Sequence, residues 1–198
     1  MAFLSTKQKF IKRFFDVTLA LSILPILIIP IFFFWIIAGI ATNQNGFFTQ
    51  TRVGQFGKPF NIYKIRSLKD KYHKDIFEMQ KNETYFGSWL RKTKLDEIPQ
   101  IFNVLLGNMS FVGPRPDILG YADKLAEDDR VILSIKPGIT GPATLKYKNE
   151  DLILKNQKYP KNYNDTVIWP DKVRLNKMYV KNYTFKKDLM YLYQSIFG

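Results

Sequence analysis

The sequence predicts an α/β fold of the α+β type, mostly helical, with a membrane helix near its N-terminus. Three observations predict this fold. An uncharged apolar segment lies near the start, short strand-like segments follow between residues 47 and 67, and the remainder carries helix-start and helix-end signals. We therefore expect a membrane segment at residues 1–46 and a small second domain at residues 47–198.

The composition restricts the chemistry that the chain can perform. It has 198 residues with one His and no Cys, which excludes a disulfide scaffold, a cysteine-based zinc site and a thiol nucleophile. Lys and Arg number 30 against 17 Asp and Glu, so the formal net charge is +13. This excess favours an anionic partner, which is nucleic acid, acidic lipid or a phosphorylated substrate.

The apolar segment begins after Asp16, and the next charged residue is Arg52. Residues 17–41 are almost all apolar, and about 20 such residues are enough to cross a bilayer core. A signal peptide is disfavoured because the segment is too long and no small-residue cleavage site follows it. A buried core helix is the alternative, although core helices of this length usually carry polar positions.

Two features favour a helix that turns back inside the membrane. Pro25 and Pro30 each remove a helical hydrogen bond, so they predict a break in the helix. Basic residues, which mark the cytoplasmic side, flank both ends of the segment. A re-entrant helix-break-helix keeps both ends cytoplasmic and a straight span keeps only one, and both topologies remain open. The basic flanks are Lys7, Lys9, Lys12 and Arg13 before the segment and Arg52, Lys58, Lys64 and Arg66 after it.

Short elements are predicted along the second domain. Strands are expected at residues 47–50 and 60–65, an exposed polar stretch with His73 at 69–81, helices at 86–94, 99–106, 120–134 and 171–197, an extended segment at 111–116 and a turn-rich segment at 136–142. The last helix, with a break near Tyr183, carries aromatic residues on one face with Lys between them. That amphipathic face suits either a membrane interface or an ordinary core, and both alternatives stay open.

The acidic pair Asp96-Glu97, which lies just before Pro99, is the first candidate for chemistry. At a helix N-terminus, two carboxylates lie beside unpaired backbone amides and the positive end of the helix dipole, where phosphate also binds. Aspartate is a nucleophile toward phosphoryl groups, and carboxylates together with phosphate oxygens suit Mg²⁺. The alternative is an acidic pair that only caps the helix.

Several basic residues are candidates for binding phosphate. Arg115 lies between two prolines that restrict its backbone, and its planar guanidinium suits phosphate oxygens. Arg91 adds positive charge close to the acidic pair. Lys64 and Arg66, together with Lys58, form a basic patch that binds phosphate or lipid headgroups; the alternative is a solvated strand face. The alternative for Arg115 is an ordinary surface residue in a loop. The sequence contains no Walker loop, dinucleotide fingerprint or His-based metal motif.

Longer motifs connect these residues. They are Lys12-Arg13-Phe14-Phe15-Asp16, Phe48-Thr49-Gln50-Thr51-Arg52-Val53-Gly54, Gly57-Lys58-Pro59-Phe60, Tyr63-Lys64-Ile65-Arg66-Ser67, Leu95-Asp96-Glu97-Ile98-Pro99-Gln100, Asn103-Val104-Leu105, Gly107-Asn108-Met109-Ser110-Phe111-Val112-Gly113-Pro114-Arg115-Pro116 and Lys136-Pro137-Gly138-Ile139-Thr140-Gly141. In this order they resemble the bacterial sugar transferase family, the small monotopic phosphoglycosyl transferases. The resemblance runs from about residue 9 to residue 197.

The resemblance implies an enzyme that transfers a sugar-1-phosphate from a UDP-sugar to a polyprenyl (undecaprenyl) phosphate. It implies the cytoplasmic face of the bacterial inner membrane, with polyprenyl-diphosphate sugar and UMP as products that initiate capsule, exopolysaccharide, O-antigen or glycoprotein glycan assembly. It also implies a covalent phosphosugar intermediate on Asp96, Mg²⁺ at that residue, and Glu97 in proton handling or metal positioning. The phosphate-binding residues implied by position are Arg91, Arg115, Lys64, Arg66 and Lys148.

This sequence departs from the family pattern in three places. Ile29 stands where the family's membrane break has a serine before the proline, which is Pro30 here. The family's Gly-Arg-Asn reads Tyr147-Lys148-Asn149, so a point charge replaces a planar fork. The family's Arg-Thr-Met reads Arg66-Ser67-Leu68.

An alternative function belongs to a different class. The chain is then a non-catalytic, basic, membrane-anchored protein that binds anionic lipid or nucleic acid. The intact acidic pair disfavours this alternative, and the absence of a nucleic-acid-binding module in the sequence argues against nucleic acid as a partner. The partners expected for the enzyme are a UDP-sugar, polyprenyl phosphate and inner-membrane lipid, and a homodimer is also considered.

Overall fold

The computed structural model describes residues 4–69 and 81–198, so the predicted exposed stretch around His73 lies almost entirely outside the described residues. The described helices are α1 (Thr6–Thr42), α2 (Tyr85–Thr93), α3 (Gln100–Leu105), α4 (Pro142–Lys146), α5 (Glu150–Lys155), α6 (Pro160–Tyr163), α7 (Trp169–Lys181) and α8 (Phe185–Phe197). The strands are β1 (Phe47–Val53), β2 (Pro59–Ile65), β3 (Ser110–Val112) and β4 (Gly138–Thr140). Short 3₁₀ turns lie at Gln55–Gly57, Leu95–Glu97, Ala122–Lys124 and Glu127–Ser134, and a π-helical turn joins α6 to α7 at Asn164–Ile168. The predicted α+β, mostly helical class is confirmed.

Helix α1 is continuous from Thr6 to Thr42 and contains both prolines, so the break predicted at Pro25 and Pro30 does not interrupt the helix. It is the one described helix that is long and apolar enough to cross a membrane by length and composition, and only 11% of its most apolar window is buried. A buried core helix would be covered on most sides, so this exposure favours a helix that meets lipid. The Ser22 hydroxyl donates to the Thr18 carbonyl oxygen at 2.8 Å, one turn earlier in the same helix. The re-entrant course stays a prediction.

The chain forms two compact units. The terminal unit comprises Met1–Asp16, Thr51–Phe60 and Gly107–Gly198, and the central unit comprises Val17–Gln50 and Asn61–Leu106. The predicted domain boundary between residues 46 and 47 stays a prediction.

The central unit has a small apolar core formed by Ala38, Ile65 and Leu90. Helix α2 is amphipathic, and Thr84 caps it by accepting a hydrogen bond from the backbone N–H of Gly87 at 2.9 Å. Gly87 lies so close to the backbone of Ser67 that no side chain would fit there. The helices predicted at 86–94 and 99–106 are confirmed to within one residue at each end, because local capping signals set their limits.

The terminal unit contains a parallel pair of strands, β3 and β4. Ser110 pairs with Gly138 and Val112 with Thr140. The helix predicted at 171–197 is present as α7 and α8, and the break predicted near Tyr183 is confirmed. Thr184 caps α8 by accepting from the backbone N–H of Lys187 at 3.3 Å.

The prediction of a helix at 120–134 is wrong. Two 3₁₀ turns occupy this stretch, because Leu125 and Ala126 are extended and Glu127 has a φ of 45°. Strand β4 lies in the segment predicted to be turn-rich, where the sequence predicts no strand. Its hydrogen-bonding partner, β3, is distant in sequence, so no local pattern indicates the pairing.

Candidate active site

The acidic pair lies in a 3₁₀ turn at Leu95–Glu97, between α2 and α3 of the central unit. Helix α2 ends at Thr93 and is capped by Lys94, which has a left-handed φ of 59° and donates its N–H to the carbonyl oxygens of Leu90 and Arg91. The reversed backbone at Lys94 directs the chain out of α2, so the acidic pair stands between two helices. The predicted position just before the helix that follows Pro99 is confirmed.

Both carboxylates are buried and share one cation. Asp96 is 7% exposed and Glu97 is 9% exposed. The ammonium of Lys64, on β2, lies 2.8 Å from Oε1 of Glu97 and 3.9 Å from Oδ2 of Asp96. Lys64 therefore donates a short charge-assisted hydrogen bond to Glu97 and interacts with Asp96 mainly through its charge.

Burial raises the pKa of Asp96 above its usual value. The positive charge of Lys64 opposes that rise, the negative charge of Glu97 adds to it, and Arg91 and Lys94 oppose it more weakly. A carboxylate that has lost much of its hydration but keeps a neighbouring cation is a stronger nucleophile than a solvated one. The environment of Asp96 thus differs from that of a surface helix cap.

Asn103 fixes the strand that carries Lys64. It is fully buried on α3, its Oδ1 accepts from the backbone N–H of Tyr63 at 3.0 Å, and its Nδ2 donates to the carbonyl oxygen of Asn61 at 2.8 Å. Sequence reasoning about the site missed this positioning role. The signal that indicates it is an amide between the apolar residues Ile101 and Val104 of α3, both of which are buried.

Besides Lys64, two of the predicted phosphate-binding residues, Arg91 and Arg66, have partners in the central unit. The Nε of Arg91 lies 3.4 Å from Oε1 of Glu83, and its charge reaches Asp96. Arg66 is 6% exposed, and its Nε donates to the carbonyl oxygen of Asn45 at 2.6 Å. Arg66 therefore holds the loop before β1, and its predicted contact with phosphate stays a prediction.

The remaining two predicted phosphate-binding residues, Arg115 and Lys148, belong to the terminal unit. Arg115 is exposed in the extended segment after β3. Lys148 is exposed after α4, and its ammonium donates to the carbonyl oxygen of Gly198 at 3.1 Å. Their contacts with a substrate stay predictions.

The arrangement in the central unit provides two buried carboxylates and a cation that they share. Within residues 4–69 and 81–198 the structure brings no three His, Cys, Asp or Glu side chains together as metal ligands. Asp96 and Glu97 nevertheless fit Mg²⁺, because this ion is usually held by one or two carboxylates together with water and phosphate oxygens of a substrate.

The chain is similar in sequence to known sugar transferases. The model of the bacterial sugar transferase family matches residues 7–198. An uncharacterized sugar transferase of Bacillus subtilis, EpsL, is 33% identical over 92% of this chain and 83% of its own length.

Two longer relatives have names that describe a reaction. The undecaprenyl-phosphate galactose phosphotransferase of Salmonella typhimurium is 30% identical over 95% of this chain and 40% of its own length. The UDP-glucose:undecaprenyl-phosphate glucose-1-phosphate transferase of Klebsiella pneumoniae is 32% identical over 94% of this chain and 39% of its own length. The chain thus spans about two fifths of each of these two proteins.

Proposed function

Because this chain belongs to the bacterial sugar transferase family, we propose that it transfers a sugar-1-phosphate from a UDP-sugar to a polyprenyl phosphate. The predicted family and the predicted enzyme class, a transferase, are confirmed. The observation that supports transfer of a sugar-1-phosphate most directly is the buried pair of Asp96 and Glu97 around the Lys64 ammonium. The names of the Salmonella and Klebsiella relatives support the choice of undecaprenyl phosphate as acceptor and of a UDP-sugar as donor.

The reaction has two displacement steps at the same phosphorus atom. A carboxylate oxygen of Asp96 attacks the phosphorus that bears the sugar, the P–O bond to the other phosphate breaks, and UMP leaves with the bonding electrons. A phosphate oxygen of the polyprenyl phosphate then attacks the aspartyl phosphosugar. The acyl-phosphate P–O bond breaks, the carboxylate of Asp96 is restored, and polyprenyl-diphosphate sugar is released.

The neighbouring residues support these two steps. Glu97, held by Lys64, handles protons or positions the metal, while the ammonium keeps Asp96 ionised for attack. Arg91 is the nearest predicted phosphate ligand along the chain, and its charge reaches Asp96. Arg115 stays a predicted phosphate ligand. The phosphates carry several negative charges, so positive side chains lower the repulsion that an attacking carboxylate meets.

We propose that Asp96 holds Mg²⁺, with Glu97 beside it. When bound, the ion would neutralise charge on the phosphate oxygens and orient the phosphorus for attack. Activity is expected to fall to background in excess EDTA and to return when Mg²⁺ is added in excess over the chelator. Full turnover in EDTA would remove the metal from the proposal. Neutralising the charge on the phosphate oxygens would then fall to Lys64 and the arginines.

We place the reaction at the cytoplasmic face of the bacterial inner membrane, where it begins the assembly of a capsule, exopolysaccharide, O-antigen or glycoprotein glycan. Helix α1 supports this location, because it is apolar, exposed and flanked by basic residues at both ends. A polyprenyl phosphate carries its reactive phosphate at the membrane surface, so a membrane-bound enzyme meets this substrate without extracting it.

The decisive experiment compares the parent chain with Asp96→Asn. Purified protein is mixed with a panel of UDP-sugars and polyprenyl phosphate, and UMP release and lipid-linked sugar are measured. The substitution keeps the size of the side chain and removes the attacking charge, so turnover is expected to fall by about 10³-fold or more. The matched control is Asp151→Asn, an exposed aspartate on α5, which is expected to retain parental turnover. Near-parental turnover of Asp96→Asn, with its fold intact by circular dichroism, would contradict the covalent intermediate.

A further inference from the structure

The amide of Asn103 stands beside β2 in place of a neighbouring strand. Its Oδ1 accepts from the backbone N–H of Tyr63 at 3.0 Å, and its Nδ2 donates to the carbonyl oxygen of Asn61 at 2.8 Å. These backbone groups belong to alternate residues, and a paired strand binds the groups of alternate residues in the same way. Asn103 is 0% exposed, so an apolar side chain there would bury this part of β2 without the two hydrogen bonds.

The acidic pair belongs to the same segment as Asn103. Backbone hydrogen bonds continue from the 3₁₀ turn of the acidic pair into α3. The N–H of Ile98 donates to the carbonyl oxygen of Leu95 at 3.3 Å, and the N–H of Ile101 donates to that of Ile98 at 3.1 Å. Asn103 follows two residues later, within α3. The two carboxylates and the amide are therefore parts of one hydrogen-bonded segment.

The cation that the carboxylates share lies on β2, one residue after Tyr63. The ammonium of Lys64 is 2.8 Å from Glu97 and 3.9 Å from Asp96. Because Asn103 ties β2 to α3 next to Lys64, its amide fixes the position of the ammonium relative to both carboxylates. The two distances differ by about 1 Å, so a displacement of that size between the two elements would change which carboxylate accepts the short bond.

We propose that Asn103 is a positioning residue, which sets where the Lys64 ammonium stands relative to the attacking carboxylate. By tying β2 to α3, Asn103 keeps the short hydrogen bond of Lys64 on Glu97, and Asp96 keeps the neighbouring charge without that bond. The role is exerted through Lys64 and not by contact with the substrate. This inference rests on the proposed transfer, because it concerns the carboxylate that attacks phosphorus.

Loss of the amide is expected to reduce kcat more than substrate affinity. A displacement of about 1 Å at a reacting group can lower a rate by about a hundredfold. The fold around β2 has other support beyond Lys64, since the N–H of Arg66 donates to the carbonyl oxygen of Gly46 at 2.7 Å and the N–H of Thr84 donates to that of Ser67 at 3.1 Å. A variant at position 103 is therefore expected to keep the fold and to lose the placement of Lys64.

The test measures kcat and KM for UMP release by the full chain in uncharged detergent, with the UDP-sugar that the parent uses. Asn103→Leu keeps the branching of the side chain and removes both hydrogen bonds. Its kcat is expected to fall by about tenfold or more, while KM changes by about twofold or less. Combined with Lys64→Gln, it is expected to have the kcat of Lys64→Gln alone, because the amide acts through that lysine. Hydrogen exchange at the backbone amide of Tyr63, measured by mass spectrometry, is expected to be faster in Asn103→Leu than in the parent.

Ile101→Ala is the matched control, because it empties a buried position of the same helix and leaves the amide in place. It is expected to lower the melting temperature and to keep the parental kcat. If Asn103→Leu does not fold, as judged by circular dichroism, Asn103→Ser takes its place, since a serine side chain is too short to reach both backbone groups.

Three results would overturn the positioning role and leave the transfer reaction intact. They are kcat losses of Asn103→Leu and Lys64→Gln that multiply in the double variant, an equal loss of kcat in Ile101→Ala, and unchanged hydrogen exchange at Tyr63. A parent that releases no UMP from any UDP-sugar of the panel would instead refute the proposed function, and this inference would fall with it.

Discussion

At the residue scale, the unequal distances from Lys64 to the two carboxylates matter for the proposed chemistry. Its ammonium is 2.8 Å from Glu97 but 3.9 Å from Asp96. A carboxylate that accepts a short hydrogen bond from an ammonium has that oxygen occupied and is a poorer nucleophile. Asp96 feels the stabilising charge without that short bond, so the geometry favours Asp96 over Glu97 as the attacking group.

The first prediction at this scale concerns pH. Burial raises the pKa of Asp96, so its proton persists to a higher pH than on an ordinary carboxyl group. Attack requires the carboxylate, and kcat/KM is therefore expected to fall as the pH drops through this raised pKa. Lys64 lowers the pKa of Asp96, and Lys64→Gln is expected to move the acid limb of the kcat/KM profile to higher pH.

Lys92→Gln is the matched control for that profile. Lys92 is an exposed residue in the last turn of α2 and is not among the charges that act on Asp96. The acid limb of the kcat/KM profile of Lys92→Gln is expected to coincide with that of the parent. An acid limb that stays in place in Lys64→Gln, even with lower turnover, would show that Lys64 acts on the substrate and not through the ionisation of Asp96.

At the element scale, the sequence predicts what local signals determine. The limits of α2 and α3 follow from a Thr cap, a proline and a glycine that all lie within a few residues of the helix ends. The burial of Asp96 and Glu97 is different, because it depends on β2 bringing Lys64 to a turn more than 30 residues later. Sequence periodicity cannot predict a contact between residues so far apart. Only the resemblance to the bacterial sugar transferase family assigns these residues to one site from the sequence.

Strand β4 and the role of Asp188 illustrate the same limit in the terminal unit. The sequence 136–142 is rich in turn signals, yet Gly138–Thr140 pairs with β3. Asp188 lies in a helix that sequence reasoning placed correctly, but its partners come from both ends of the chain. Its Oδ1 accepts from the Tyr179 hydroxyl at 2.6 Å, and Oδ2 accepts from Tyr183 at 3.1 Å and from Lys12 at 2.7 Å.

The prediction at this scale is a stability cycle on that network. Asp188 is 1% exposed, and its removal leaves the buried ammonium of Lys12 without its carboxylate and the Tyr183 hydroxyl without this acceptor. Among the described residues, the Tyr179 hydroxyl then keeps only the Val112 carbonyl oxygen, at 3.5 Å. Burial and the charge of Asp188 raise the pKa of Tyr179, so its hydroxyl stays a donor and gives no compensation. Asp188→Ala is expected to lower the free energy of unfolding by about 3–5 kcal/mol.

The measurement is urea unfolding in uncharged detergent, followed by circular dichroism. Lys12→Met combined with Asp188→Ala is expected to cost less than the sum of the two single variants, because it also removes the unpaired cation. Lys155→Ala, at an exposed position of α5, should change the free energy of unfolding by about 0.5 kcal/mol or less. Additive single effects would mean that Lys12 and Asp188 do not interact in solution.

At the scale of the whole molecule, the first turns of α1 are part of the terminal unit. Lys12 contacts Asp188 of α8, and Asp16 contacts Ser110 and Phe111 at β3. Residues that make these contacts must lie on the same side of the membrane as residues 107–198. A straight span would separate them, so the contacts favour the predicted re-entrant course, as do the basic residues on both flanks.

The last prediction tests this topology with a single cysteine in a chain that has none. Ser5→Cys is expected to be protected from a membrane-impermeant maleimide in intact spheroplasts and to react after lysis, as is Glu127→Cys, an exposed control in the terminal unit. Replacing Pro25 and Pro30 with Leu removes both helix-weakening residues, which favours a straight span and partial labelling at residue 5. Adding Asp188→Ala to the proline double variant releases Lys12, so labelling is expected to increase further. Labelling of the Ser5→Cys parent in intact spheroplasts would establish a spanning helix and exclude the re-entrant course.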